Sequence, residues 1–333
     1  MSKIREFKYI EKQTNSSITV ITYNILAPSV TKNHMTECSE ECIKWDNRLN
    51  KIFKEVLNIN PDIICFQEVQ TDKYYTIMVS KFLKKGYYGL YVPQKSWSKN
   101  ILSYNENFGI AIFIKLSRFH ILKYGSIDFH RHVEKFLEKT NQLGFLSKTK
   151  KRFVGLQLLL LDKITNKKFI VCSVHLESNP KYDDIKNLQQ FILLNYLQKN
   201  IVLENKLPFI LTGDFNSKPN SSVYNGTITG KSHNNLFDTE DFKYPKPFIN
   251  TPKIFTKYPL ISCYNKVFGK EPIYTNYTEN FKESLDYIFI NDKIKIIGAL
   301  NEVDKNYIKN YKCIPNNDYP SDHFMQSTVL EII

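Results

Sequence analysis

Apolar, strand-like runs that finish on an acidic, amide or imidazole side chain recur along this sequence, and they constrain its fold more than any other feature. In "PFILTGDFNS" the apolar residues 209–211 lead to Asp214 and Asn216 at the end of the run. An ionised carboxylate is costly to bury unless a cation or hydrogen-bond donors meet it. We therefore expect a positive or proton-rich group beside Asp214.

Five further segments show the same pattern, and their polar residues are Asn24, Glu68, His175, Asp286, and Asp322 with His323. A polar residue at one strand boundary is commonplace, whereas six separate segments of this kind indicate one shared polar site. Carboxylates and amides are hard oxygen ligands that suit Mg²⁺ or Mn²⁺. Two histidines among acids suit general acid–base catalysis.

Strand and helix patterns alternate through most of the chain. Strands are predicted in "SITVITYNIL", "DIICFQEV", "GIAIFIK", "KRFVGLQLLLLD", "KKFIVCSVHLE", "LDYIFIN" and "SDHFMQSTVLEI". Helices are predicted in "DNRLNKIFKEVLNIN" and "YDDIKNLQQFILLNYLQKN", where apolar residues recur every three or four positions. Residues 225–270 are expected to form helices and loops, and "SKTKKR" an exposed basic hairpin tip in the poorly patterned segment 116–150. We expect a polar lead-in over residues 1–17 and one α/β catalytic domain over 18–333.

Charge and composition indicate which class of binding partner and which cellular compartment to expect. The 333 residues carry a net charge of +13, which suits a polyanion such as RNA, although a solvated lysine-rich surface gives the same excess. The six cysteines are scattered without a disulfide framework, which is typical of a reducing compartment. With neither a signal peptide nor an apolar run of membrane-spanning length, a cytoplasmic protein without membrane contact is expected.

Motifs for several other kinds of chemistry are missing from the sequence. There is no G-x-x-x-x-G-K-[ST] loop, no G-x-G-x-x-G opening a helix and no G-x-S-x-G elbow. His34, Cys38 and Cys42 would offer zinc only three ligands, so they do not predict a zinc site. A metal-assisted hydrolase that acts on phosphate esters is the class that remains.

Seven short motifs occur in order along the chain: "TYNIL", "FQEV", "HLESNP", "GDFNS", "YTNYT", "LDYIF" and "PSDH". Together they resemble the endonuclease/exonuclease/phosphatase superfamily from about residue 18 to the C-terminus. The "TNYT" before "LDYIF" is most similar to the mRNA deadenylase branch, which includes carbon-catabolite-repression deadenylases, nocturnin, the Angel proteins and the 2′-phosphodiesterases. The resemblance implies a four-layer sandwich of two mixed β-sheets packed face to face, with helices outside.

The resemblance also implies catalytic roles for residues that act on water or on the scissile phosphate: Asp214, Asn216, His175, Asp286 and His323. Within this set Asp214 is expected to activate the attacking water, while Asn216 and His175 contact the phosphate. Asp286 is expected to pair with His323, fix its tautomer and hold it cationic beside the phosphate.

The remaining matches concern the metal and the base. The metal residues implied are Glu68, which matches the magnesium ligand, together with Asn24 and Asp322. Mn²⁺ is expected to substitute for Mg²⁺. The substrate-binding residues implied are Pro180 and Phe281, which hold an adenine, and Arg48, which lies near the substrate. Phe281 is expected to stack on the base.

The expected activity is a 3′-to-5′ exoribonuclease that favours poly(A) and releases 5′-AMP. Three alternatives stay open: a phosphatase or phosphodiesterase acting on a 2′-phosphorylated dinucleotide or on 2′,5′-oligoadenylate, a DNA-repair endonuclease, and a non-catalytic RNA-binding module. The sequence departs from the family pattern at Phe108, Val174 and Glu177, where the family usually has an acid, a threonine and an aromatic residue. A monomer is expected. A leucine-rich-repeat tether is not expected, because about 17 residues precede the first core strand.

Overall fold

The computed structural model describes residues 5–35, 37–96, 107–144, 151–203, 207–231 and 259–333. Their strands are β1 (Phe7–Tyr9), β2 (Ile18–Asn24), β3 (Ile63–Gln70), β4 (Tyr87–Pro93), β5 (Lys95–Ser96), β6 (Phe108–Lys115), β7 (Phe119–Asp128), β8 (Lys151–Arg152), β9 (Val154–Asp162), β10 (Lys167–His175), β11 (Phe209–Asp214), β12 (Ile261–Ser262), β13 (Asn276–Tyr277), β14 (Lys282–Glu283), β15 (Asp286–Ile290), β16 (Ile294–Leu300) and β17 (Gln326–Ile332).

The helices of the described residues are α1 (Pro28–His34), α2 (Glu40–Ile43), α3 (Trp45–Ile59), α4 (Thr71–Lys73), α5 (Val79–Leu83), α6 (Phe129–Lys139), α7 (Asp183–Leu203), α8 (Ser222–Thr229), α9 (Cys263–Phe268) and α10 (Lys305–Ile308). A π-helical turn, Tyr74–Met78, joins α4 to α5, and a 3₁₀ turn, Pro180–Tyr182, precedes α7. Among these helices, none combines the length and the apolar character that a membrane span requires.

Two mixed sheets form the centre of the fold. The first has seven strands in the order β1-β16-β17-β2-β3-β6-β4, and the second has six in the order β12-β15-β11-β10-β9-β7. Apolar side chains of both sheets meet between them, among them Val20, Ile112, Leu158, Val171 and Ile288. Helices α3 and α5 cover the outer face of the first sheet, and α6, α7 and α8 cover that of the second. The predicted four-layer sandwich is therefore confirmed.

Helix α3 shows how the outer layers follow from the sequence. Leu49, Ile52 and Val56 recur at helical spacing and are buried against the first sheet. Asn60 ends the helix in a left-handed backbone conformation, which asparagine tolerates, and Pro61 prevents the helix from continuing. The helix predicted over residues 46–60 is present and lies one residue earlier at each end.

Two parallel strand pairs bring the polar strand ends to one place. In the first sheet β2 runs parallel to β3, and in the second sheet β10 runs parallel to β11. Strand β15 runs antiparallel to β11, so that its first residue, Asp286, lies opposite Asp214. On the other side Asp214 pairs with His175, the last residue of β10. Because directly opposite side chains in a sheet lie about 5 Å apart, three expected site residues are neighbours.

Several segments have more regular structure than their sequence indicated. The polar lead-in contains β1, which pairs with β16 at the edge of the first sheet, and the segment 116–150 contains β7 and α6. Strand β7 is an edge strand with many exposed side chains, so it lacks a clear apolar alternation. Residues 147–150 of the expected hairpin tip and 232–258 of the expected helix-and-loop region lie outside the described residues.

Gly213 controls the spacing of β10 and β11 immediately before Asp214. Its φ is +141°, and a Cβ at this position would lie 2.0 Å from the carbonyl oxygen of Val174 in the neighbouring strand. We expect Gly213→Ala to lower the free energy of unfolding by at least about 2 kcal/mol, because the backbone is strained and the two strands have to separate. Chemical denaturation measures the change.

Gly125→Ala is the matched control, because Gly125 also lies in a strand but no atom lies within 4 Å of the position that its Cβ would take. It should change the free energy of unfolding by less than about 0.5 kcal/mol. Equal stability of the two variants would contradict this reading of Gly213.

Candidate active site

The side chain of Asn24 joins the strand ends of the two sheets. It is the last residue of β2, and its Nδ2 donates hydrogen bonds to Glu68 Oε1 in the first sheet at 3.1 Å and to Asp214 Oδ2 in the second at 3.0 Å. Its Oδ1 accepts a hydrogen bond from the Leu26 N–H at 3.1 Å. Asn24 therefore bridges two carboxylates as a donor, while its amide oxygen accepts one hydrogen bond from the backbone.

A β-bulge turns Glu68 toward this bridge. The pairing of β3 with β6 shifts between Phe66 and Val69, and Glu68 has a φ of +56° inside the irregularity. Its Oε2 accepts a hydrogen bond from the Ala27 N–H at 3.1 Å. A positive φ is unfavourable for a residue other than glycine or asparagine, so the surrounding structure has to hold Glu68 in place.

Asp214, Asp286 and His323 form a compact buried cluster. His323 Nδ1 lies 2.7 Å from Asp286 Oδ2, and His323 Nε2 lies 3.7 Å from Asp214 Oδ2. The ligand atoms of the three residues all lie within 4.8 Å of one another. The imidazole thus stands between two carboxylates, with its Nδ1 side fixed by Asp286 and its Nε2 side turned toward Asp214.

Burial and charge act in opposite directions on the groups of this cluster. Burial alone would lower the pKa of His323, but the carboxylates of Asp286, Asp322 and Asp214 raise that pKa well above its ordinary value. Burial raises the pKa of Asp286, while the neighbouring His323 opposes the rise. Burial likewise raises the pKa of Asp322 to about 6, with repulsion from Glu68 adding to the rise.

Two more expected site residues surround Asp214. His175 Nε2 lies 3.7 Å from Asp214 Oδ2. Asn216, with a φ of +47°, donates its backbone N–H to Asp214 Oδ1 at 2.8 Å and its side-chain Nδ2 to the carbonyl oxygen of Leu176 at 3.1 Å. Asp214 is thereby fixed through both of its oxygens and faces two imidazoles.

The segment that carries Asp322 and His323 is attached to both neighbouring elements. Ser321 Oγ donates to the carbonyl oxygen of Asn24 at 2.7 Å, which ties the segment to the end of β2. The backbone N–H of Tyr277 donates to the carbonyl oxygen of Asp322 at 2.9 Å, which ties it to the β13–β14 hairpin. The "PSDH" motif therefore closes one side of the site.

Arg48 is buried next to the turn that follows β2. Its side chain is 1% exposed, and its guanidinium donates to the carbonyl oxygens of Ile25, Leu26 and Pro320 at 2.9, 2.8 and 3.2 Å. Burial lowers the pKa of Arg48 to about 10, so it stays charged at neutral pH. Arg48 therefore holds the turn after β2 against the segment that precedes Asp322, and its place near the substrate stays a prediction.

The two expected base-binding residues lie on exposed turns. Pro180 begins the 3₁₀ turn that follows β10 by a few residues, and its side chain is exposed. Phe281 is 40% exposed and ends the turn of the β13–β14 hairpin, where its carbonyl oxygen accepts from the Thr278 N–H at 2.8 Å. The hydrogen bond from the Tyr277 N–H to the carbonyl oxygen of Asp322 attaches this hairpin, and with it Phe281, to the segment that carries Asp322.

Lys186 and Thr275 support the site although their sequence context gave no sign of it. Lys186 is nearly buried on α7, and its Nζ donates to the carbonyl oxygen of Asn216 at 3.0 Å. Thr275 Oγ1 accepts from the backbone N–H groups of Leu285 and Asp286 at 2.7 and 3.0 Å. No pattern in the sequence around Lys186 or Thr275 reveals which backbone groups their side chains meet.

Comparison with known proteins gives one family and a set of curated relatives. The profile of the Endonuclease/Exonuclease/phosphatase family matches residues 21–323. The CCR4-Not complex 3′-5′-exoribonuclease subunit Ccr4 of Candida glabrata is 29% identical over 319 residues, which cover 92% of this chain and 36% of that protein. The probable Ccr4 subunit of Enterocytozoon bieneusi is 30% identical over 313 residues, covering 91% of this chain and 62% of the relative. The chain thus spans less than two thirds of either relative.

Solved structures share the fold over nearly the whole chain. Angel2, described as a 2′,3′-cyclic phosphatase and solved in complex with adenosine-2′,3′-vanadate, superposes with a TM-score of 0.83 at 23% identity, covering 99% of both chains. The catalytic domain of human Nocturnin superposes with a TM-score of 0.70 at 24% identity, covering 99% of this chain and 97% of that one. At these identities the likeness establishes the fold.

The carboxylate of Asp286 is one of the groups that keep the pKa of His323 high. We expect Asp286→Asn to lower the pKa of His323 in the metal-free protein, because a neutral amide no longer stabilises the imidazolium. An NMR titration of the histidine ring signals measures the change, and His323→Gln assigns the signal. Asp72→Asn, which changes a surface ion pair with Lys73, is the control and should leave that pKa unchanged. An equal or higher pKa in Asp286→Asn would refute this coupling.

Proposed function

Because the chain belongs to the endonuclease/exonuclease/phosphatase family, we propose that it is a Mg²⁺-dependent 3′-to-5′ exoribonuclease that removes 5′-AMP from poly(A) or other single-stranded RNA. The family consists of hydrolytic, metal-dependent enzymes, and the relatives and structural neighbours fit the mRNA deadenylase branch that the sequence predicted. The observation that carries the proposal is the buried cluster of Asp214, Asp286 and His323, linked through Asn24 to Glu68.

The donor atoms around this cluster fit a hard divalent cation. Glu68, Asp214 and Asp322 offer carboxylate oxygens, the ligand type that Mg²⁺ prefers, and no thiol takes part. The raised pKa of Asp322 reflects burial beside Glu68, a repulsion that a cation between the two would relieve. We assign the metal to Glu68 and Asp322, and we assign Asn24 the task of holding Glu68 and Asp214 together. Such an ion supplies Lewis-acid stabilisation of the phosphate charge.

Asp214 is the base that the geometry favours for the attacking water. Its Oδ1 is held by the Asn216 N–H and its Oδ2 by Asn24, so the carboxylate has one fixed orientation. Both oxygens keep a free lone pair, because a carboxylate oxygen accepts two hydrogen bonds. A water that donates to Asp214 is therefore oriented as well as activated for attack on phosphorus.

His323 and Asn216 face the charge that develops on the phosphate. Asp286 holds His323 Nδ1, which leaves the protonated Nε2 directed into the site, where an imidazolium stabilises a more negative transition state. Asn216 Nδ2 uses one N–H for Leu176, and its second N–H is available to a phosphate oxygen. His175, on the other side of Asp214, completes the set of donors.

The direct test is hydrolysis of labelled oligo(A) in the presence of Mg²⁺. We expect stepwise shortening from the 3′ end with release of 5′-AMP, and loss of activity when the metal is chelated. Glu68→Gln should reduce kcat by at least about 100-fold, because the amide has no charge to offer the cation. Glu331→Gln, which alters a carboxylate on β17, is the control and should keep parental activity.

Mixed-sequence RNA, 2′,5′-oligoadenylate and NADPH are assayed in parallel, because the same phosphate-facing groups could serve a small nucleotide ester. Turnover of the small nucleotides with no cleavage of RNA would contradict the exoribonuclease proposal and favour a nucleotide phosphatase. RNA binding without turnover of any substrate would instead indicate a binding module. We further propose that the protein is a monomer and that, in keeping with its six free cysteines, it acts in the cytoplasm.

Phe281 is proposed to stack on the terminal base, since it is an exposed aromatic ring on a hairpin bonded to Asp322. Stacking on one base contributes about 1–3 kcal/mol, so Phe281→Ala should raise KM for oligo(A) by roughly 5- to 150-fold with a smaller change in kcat. Tyr88→Ala removes an aromatic ring of similar exposure on β4 and is the control. An unchanged KM for Phe281→Ala would exclude this contact.

A further inference from the structure

Two free cysteines meet beside the loop that leads to Asp322 and His323. Cys38 lies in the turn between α1 and α2, and Cys313 lies in the loop between α10 and β17. Their sulfur atoms are 3.5 Å apart, and both side chains are partly exposed. Cys42 is buried nearby, and the other cysteines, Cys65, Cys172 and Cys263, are buried in the core.

The contact between the cysteines belongs to an ordered interface. Lys312 Nζ lies 2.7 Å from Glu37 Oε2, and Cys42 Sγ lies 3.4 Å from Asn317 Oδ1. In both pairs, as in the cysteine pair, the partners are 275 positions apart, so the two segments run alongside each other in register. Contacts of the neighbouring residues, and not only those of the two cysteines, therefore hold Cys38 opposite Cys313.

We propose that Cys38 and Cys313 are a site of reversible oxidation, at which a peroxide converts the two thiols into a disulfide that locks the loop leading to Asp322 and His323. A disulfide is about 2.05 Å long, so the sulfur atoms have to approach by roughly 1.5 Å. Loop and turn segments with partly exposed side chains can make that movement. A cytoplasmic pair of this kind is reduced at rest and oxidised only transiently.

The reaction balances with one molecule of hydrogen peroxide. One thiol loses its proton, the resulting thiolate attacks a peroxide oxygen and the O–O bond breaks. The hydroxide that leaves takes up the lost proton, so that a sulfenic acid and one water form. The second thiol then attacks the sulfenic sulfur, its proton leaves with the hydroxyl group as a second water, and the S–S bond forms. Two electrons pass from the thiols to the peroxide, and a dithiol reductant reverses the change.

Two properties of the cysteine pair determine how readily the disulfide forms and what it stabilises. Burial and the adjacent Cys313 raise the pKa of Cys38 to about 12, so Cys38 carries little thiolate at neutral pH and resists oxidation at low peroxide concentration. Once formed, the bond closes a ring of about 275 residues, and long rings restrict the unfolded chain most. The loop beyond Cys313 is already attached at Ile314 to Tyr277 and at Pro320 to Arg48, so the bond adds a covalent tie to a positioned segment.

The experiment treats the reduced 333-residue chain at low concentration with hydrogen peroxide. We expect a monomer that has lost two hydrogen atoms in mass, and a disulfide-linked peptide pair containing Cys38 and Cys313 that dithiothreitol separates. Thermal unfolding should shift upward by several degrees in the oxidised protein and return after reduction. These measurements use no RNA substrate, so they test formation of the disulfide separately from the proposed exoribonuclease activity. Any effect of the disulfide on the active site rests on that proposed activity.

Three single variants make the test specific. Cys38→Ser and Cys313→Ser should each abolish the linked peptide and the thermal shift. Both are made so that the test remains valid if one of them fails to fold. Cys42→Ser, the neighbouring cysteine bonded to Asn317, should retain both. A Cys38–Cys42 bond, dimers linked through cysteine, over-oxidation without a disulfide, or an oxidised protein with unchanged thermal stability would each overturn the proposal.

Discussion

Crowding of like charges at one buried point is the constraint on which the site depends. Asp214, Asp286 and Asp322 are buried, and Glu68 is half-buried beside them. Repulsion from Asp214 adds to the rise that burial causes in the pKa of Asp286, and repulsion from Glu68 adds to the rise in the pKa of Asp322. The two sheets bring these acids together because their parallel strand pairs end at the same place. Such an arrangement is stable only if donors meet the carboxylate oxygens, and Asn24 is the donor that serves both sheets at once.

The donors come from the backbone that directly follows the strands, and this explains the unusual conformations there. Asn216 supplies its N–H to Asp214 two positions earlier by taking a φ of +47°, and Glu68 reaches the Ala27 N–H from a bulge. Among the described residues with positive φ other than glycine, only Leu26 and Glu68 are not asparagines, and both lie at the site. The strained backbone conformations thus lie where the carboxylates need hydrogen-bond donors. Arg48 donates a hydrogen bond to the carbonyl oxygen of Leu26, one of the strained residues.

These contacts show which features of the site could be predicted from the sequence and which could not. The polar residues at strand ends are local features, so the sequence indicated that Asp214, Asp286 and His323 would share a site and that the fold would be a sandwich. The bulge at Glu68 was not readable, because it depends on the register of β3 with β6. The surroundings of Arg48 were not readable for a related reason: a helical pattern shows that an arginine is present, but its burial against Ile25 and Pro320 is set by segments far away in sequence.

Arg48 also contributes to the electrostatics of the site. The carboxylates of Asp286, Asp322 and Asp214 raise the pKa of His323, and those of Asp322 and Glu68 oppose the lowering of the pKa of Arg48 by burial. The two cations thereby offset part of the repulsion among the acids. The guanidinium of Arg48 donates to the carbonyl oxygens of Ile25 and Leu26, so it reduces this repulsion without occupying a carboxylate oxygen, the ligand type that a hard divalent cation prefers.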